Sequence, residues 1–176
     1  MSNVLIGIIG VILFIGLALA GALFLGPRFQ ESTSNAEAAA SIATMQQVMG
    51  AVEMMKAENG PSIVRNGVMV GLQPGYLKEN VVNPSRAGRK NPNSYLHSIH
   101  FNNDALNDAG DEGGTGAARY AMMSIGSDAA AKASCLAIAR QFGATELGVI
   151  NADNRYPEET IGCRDGSGQY IVFAKL

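Results

Sequence analysis

Few of the 176 residues carry side chains that could do chemistry, and their spacing does not assemble a reaction. His97 and His100 are the two histidines. A spacing of three brings two rings to one side of a helix, as a metal pair needs. Leu96–Phe101 reads instead as a strand, where an odd offset sends the rings to opposite faces. Asp108–Gly116 (Asp-Ala-Gly-Asp-Glu-Gly-Gly-Thr-Gly) is similar in composition to acidic calcium loops. Its acids miss the EF-hand register and no bidentate Glu closes it, so it reads as an exposed loop. Gly113-Gly114-Thr115-Gly116 lacks the Lys and the helix context that phosphate binding requires. With no Walker loop, dinucleotide fingerprint or evident nucleophile and base, the sequence predicts no enzyme activity, cofactor or metal site.

Thirteen basic and 15 acidic residues leave a formal charge of −2. The Lys and Arg residues are scattered, so no basic face offers the phosphate contacts of nucleic-acid binding. Cys135 and Cys163 are too few for a zinc site made of cysteine alone and the right number for one disulfide. Such a bond would place this part of the chain in an oxidising compartment; two buried free thiols are the other reading.

These residues sit on a chain whose first part is of another kind. Val4–Leu25 is 22 residues without a charge. As a helix it measures about 33 Å, enough to cross a hydrocarbon core of about 30 Å. Met1-Ser2-Asn3 carries no basic residue and the apolar run is long for a cleaved secretory signal, so a retained anchor is expected. Gly7, Gly10, Gly16 and Gly21 interrupt the run, and small residues let neighbouring helices approach closely. Glycine is also simply common in membrane helices. Gly26-Pro27 is expected to break the helix or let it bend. Flanking charge does not orient the span, since only Arg28 follows it, with Glu31 close by; the disulfide argument puts the carboxy-terminal part outside the cell.

From about Glu31 to Glu58 a second helical stretch carries Ala38, Ile42, Met45, Met49, Val52 and Met55 at spacings of three and four, one apolar stripe suited to packing under a sheet. Asn59-Gly60-Pro61 stops it. Residues 61–118 are turn-rich, with short apolar pieces at Val68–Leu72 and Tyr95–Phe101. Beyond them Arg119–Ile125 reads as a strand, Gly126-Ser127 as a cap, and Asp128–Phe142 as a helix ending at Gly143. Glu146–Ile150 and Gln169–Ala174 read as strands. The expected organisation is an apolar helix over 1–27, an amphipathic continuation over 28–59 and an α+β head over 60–176. A Cys135–Cys163 bond would tie the helix to the segment before the last strand.

In layout and in three segments the chain resembles the type IVb pilins, the group of toxin-coregulated and conjugative thin-pilus subunits. The segments are Gly26-Pro27-Arg28-Phe29, Gly75-Tyr76-Leu77-Lys78 leading to Asn83-Pro84, and Tyr120-Ala121-Met122-Met123-Ser124-Ile125 leading into the Cys135 helix and the late Cys163. Together they touch most of the chain. Where that family carries an acid near the start of the mature chain, this sequence has Leu5 and no acid before Glu31. The resemblance implies a pilin-like fold, with a long helix packed on an antiparallel sheet and a disulfide closing the surface region. It also implies a structural role, with the subunit held in the inner membrane and then polymerised into an extracellular bacterial filament for adhesion, conjugation or related contact. Its partners would be copies of itself, membrane lipid before assembly, and the inner-membrane assembly machinery. Two other roles fit the same residues: a monomeric single-pass binding module, and a minor pilin that primes or caps another filament.

Overall fold

The computed structural model describes residues 2–60, 67–68, 76–77, 81–90, 99–102, 119–148, 158–166 and 168–176. His97, the 108–116 loop and most of the apolar pieces at 68–72 and 95–101 lie outside them. The class is α+β, with a long N-terminal helix, an antiparallel sheet and one disulfide. The contacts divide the chain into two compact units, Met1–Thr33 and Ser34–Leu176.

The first helix, α1, is assigned over Ser2–Asn59 and includes Pro27. The break expected at Gly26-Pro27 is therefore corrected: the chain keeps helical geometry there. Proline removes one N–H donor and crowds the carbonyl four residues back, which here is that of Leu23. Regular helix on both sides supplies enough bonds to carry that local defect. The helix stops at Gly60, whose φ of 92° is left-handed and whose N–H donates to the Lys56 carbonyl at 2.9 Å. Glycine fits this position because it has no Cβ to clash.

Among the described residues of the second unit the sheet has five strands: β1 (Gly67–Val68), β2 (His100–Asn102), β3 (Tyr120–Gly126), β4 (Ile161–Gly166) and β5 (Gln169–Lys175). Their spatial order is β1-β2-β3-β5-β4, and every pairing is antiparallel. The described residues also form two short helices, α2 (Arg86–Lys90) and α3 (Ala129–Gln141). Alternation along β3 and β5 sends Ala121, Met123, Val172 and Ala174 into the main core, while Tyr120, Met122, Ile171 and Phe173 form a second cluster. These sets alternate along each strand, as a pleat with both faces buried requires. From α1, Ala38, Ile42, Met45, Val48, Val52 and Met55 are buried in the main core, and Met49 packs half-buried against it.

Cys163 lies ahead of the final strand, as expected, and itself belongs to a strand, β4. Two local expectations are corrected. Residues 146–148 are neither helix nor strand, although the Gly148 carbonyl accepts a bond from the Asp165 N–H at 3.1 Å; residues 149 and 150 lie outside the described residues. The cap of α3 is Asp128, whose carboxylate accepts from the Ala131 N–H at 2.8 Å, and not Gly126-Ser127. Asp is a strong N-cap because its oxygen satisfies a donor the first turn leaves unpaired.

Candidate association surface

The apolar half of α1 is built from Leu, Ile, Val, Phe, Ala and Gly, residues that helix hydrogen bonding leaves with nothing polar to show a neighbour. It is long and apolar enough to cross a membrane. Every described side chain from Leu5 to Thr33 is exposed except Gly21, which is half-buried. Fifteen large apolar side chains between Leu5 and Phe29 are exposed, including Phe14 and Leu17 at 73%. The first charged side chains along the helix are Arg28 and Glu31, which pair one turn apart at 3.8 Å.

At about 100° per residue, Gly7, Gly10 and Gly21 fall within about 60° of one another on the helix surface. Ala18 shares that face, with Phe14 between, and Gly16 lies opposite. A Cβ added at Gly7, Gly10, Gly16, Gly21 or Gly26 meets no atom within 4 Å, so these positions leave open notches on the helix.

The remaining predicted residues belong to the second unit's framework. Cys135 on α3 and Cys163 on β4 form the disulfide, with Cα atoms 5.3 Å apart, and both are buried. His100 is buried in β2, and no cluster of His, Cys, Asp and Glu among the described residues could hold a metal ion.

Sequence reasoning missed a buried polar connection around α2. Glu37 on α1 is 8% exposed; its carboxylate accepts from the Arg86 N–H and, at 2.9 Å, from the Ser134 hydroxyl on α3. Asn83 is fully buried; its amide donates to the Ser124 carbonyl and its oxygen accepts from the Ser85 N–H at 3.0 Å. Ser85 in turn accepts from the Gly88 N–H at 3.1 Å. The only signal in the sequence was Asn83-Pro84-Ser85, a turn whose short polar side chains bond their own backbone.

Two exposed networks add local charge. The Tyr76 hydroxyl donates to Glu58 at 2.6 Å and accepts from Asn59 at 2.8 Å. The bond to the Glu58 carboxylate is the main cause that holds the Tyr76 phenol above its ordinary value. Arg164 grips both oxygens of Glu159, at 2.6 and 2.8 Å. Desolvation pushes the Glu159 carboxyl up, but its own backbone N–H and Arg164 outweigh that and hold it below the usual range.

No protein-family model, curated protein or solved structure matches the chain.

Proposed function

We propose that this chain is a structural subunit of an extracellular type IVb-like filament, anchored in the inner membrane before it polymerises through its N-terminal helix. The observation that supports this reading is the contrast along α1: every described side chain from Leu5 to Thr33 is exposed or half-exposed, whereas Ala38–Met55 carries one buried stripe. Burying a large apolar side chain is worth about 1.5–3 kcal/mol, so the exposed set represents on the order of 20–40 kcal/mol of unrealised burial. That exceeds the roughly 5–15 kcal/mol by which a domain is stable. Water is therefore the wrong solvent for this segment, and lipid or other copies are the alternatives. A continuous helix into the head, without a Gly/Ser leash, suits a head carried on a packed core.

The disulfide supports a head in an oxidising compartment. Pilus type, adhesion and conjugation rest on the resemblance in the three segments named above. Chemical cross-linking of intact producing cells tests the reading. Ladders of many subunits are the expected result, and a lone monomer at every cross-linker dose refutes it.

A further inference from the structure

The apolar half of α1 supplies a driving force for association but little register. Its side chains are exposed on all sides, and apolar contact is non-directional. Directional contacts that fix how one copy sits on the next must come from polar groups, which set orientation more than affinity. The head has such groups at the two ends of α3, about 20 Å apart for 13 residues.

At the N-terminal end, Arg86 and Lys90 of α2 line a cavity of about 220 Å³ together with the first turn of α3. The acids there are engaged within the molecule: Glu37 with the Arg86 N–H and Ser134, Asp128 with the Ala131 N–H. Val82, four residues before α2, is 42% exposed. At the C-terminal end, Phe142 is 46% exposed and lines a cavity of about 210 Å³ floored by Ile161 and Gly162. Glu159 there is held by Arg164, while Glu146 has no cationic partner among the described residues. Arg140 in the last turn of α3 lies outside this cavity's lining. The two ends thus offer charge of opposite sign, with Phe142 exposed in the lining at one and Val82 exposed four residues ahead of α2 at the other. The backbone dipole of α3 has the same polarity, positive at its N-terminus and negative at its C-terminus.

The geometry points to a head-to-head contact in the filament: the Val82–Lys90 surface of one copy seats in the Phe142–Glu146 cavity of a second copy. This rests on the filament reading above. Because the two surfaces differ and lie at opposite ends of one helix, the contact is heterologous. It therefore repeats from copy to copy instead of closing a two-fold pair.

Charge reversal in the full-length chain tests it. Lys90→Glu and Glu146→Lys are made singly and together in producing cells, and sheared fibres are weighed against total chain. Each single reversal is expected to cut fibre yield at least about tenfold, and the double reversal to restore it to within about twofold. Both side chains are exposed, and unchanged melting of the detergent-solubilised variants shows that the heads are folded. A photo-reactive residue at position 142 gives an independent readout, with the adduct expected on residues 82–90 of another copy. Wild-type yields from both single reversals, a double reversal no better than the singles, or an adduct elsewhere would overturn the contact and leave the filament standing. Absence of wild-type fibres would overturn both.

Discussion

Replacing both cysteines by alanine is the perturbation whose size follows most directly from the structure. The bond joins residues 28 apart, from the middle of α3 to β4, and both cysteines are buried. Opening a loop of that length returns to the unfolded chain about 12 cal/mol/K, or about 3.6 kcal/mol at 25 °C. Alanine avoids burying a hydroxyl without a partner, an added cost that serine would carry. Contacts of the two sulfur atoms with the core are lost as well, so the loss is at least about 3–4 kcal/mol. Against a usual total of about 5–15 kcal/mol this removes a large share of the head's stability. For a unit of this size the melting temperature should fall by about 10 °C. The assay is thermal unfolding of the full-length variant in detergent micelles, followed by near-ultraviolet circular dichroism, beside the wild type. Insertion of α1 into the micelle should not change, because no cysteine lies in it. A melting temperature within 2 °C of wild type, on the order of 1 kcal/mol or less, would refute the claim that the bond holds α3 to the sheet.

Three further outcomes follow from particular atoms. A Cβ at Gly88 would lie 2.5 Å from the Asn83 carbonyl oxygen and 2.7 Å from its Cβ, so Gly88→Ala should cost about 2–4 kcal/mol through overpacking and the disturbed Asn83–Ser124 bond, read by urea unfolding. Gly10→Leu should lower sheared-fibre yield more than Gly16→Leu, because only Gly10 shares a face with Gly7 and Gly21; equal, normal yields would exclude close packing on that face. The two shifted groups act at opposite pH extremes. Glu159, held below the usual range, stabilises the fold above its unfolded value, and that contribution is lost as pH falls through the still lower folded value. Glu159→Gln should therefore flatten the acid limb of the stability profile by under about 1 kcal/mol, since the pair is partly solvated. Tyr76, held high, contributes below its unfolded value and loses that contribution as pH rises through the higher folded value, so Tyr76→Phe should flatten the alkaline limb.

Much of the framework was legible because it rests on short-range rules. Residues at spacings of three and four along α1 are the buried ones, and Asn59-Gly60 stops the helix with a left-handed glycine. With only two cysteines, a disulfide had one possible pairing. What was hidden depends on contacts distant in sequence. β4 reads Ile-Gly-Cys-Arg-Asp-Gly, without the apolar alternation of a strand. Its Gly162 is required because the Phe173 ring occupies the place of a Cβ, 2.6 Å from where one would stand. α2 is five residues, three of them basic and the other two Ala87 and Gly88, with no period of its own, held by Glu37, Asn83 and the tight approach at Gly88. Pro27 shows the reverse case, a strong local breaker that regular helix on either side absorbs. The association surface was legible as an apolar run; under the filament reading proposed above, its partners lie on other copies and so outside what one chain's sequence encodes locally.

Electron microscopy of material sheared from producing cells, with mass spectrometry of the same fraction, bears most directly on the central claim. The account predicts thin fibres in which this chain is a principal component and still carries its apolar N-terminal helix. A chain found only in the membrane fraction, solitary after purification and absent from every fibre, would contradict it.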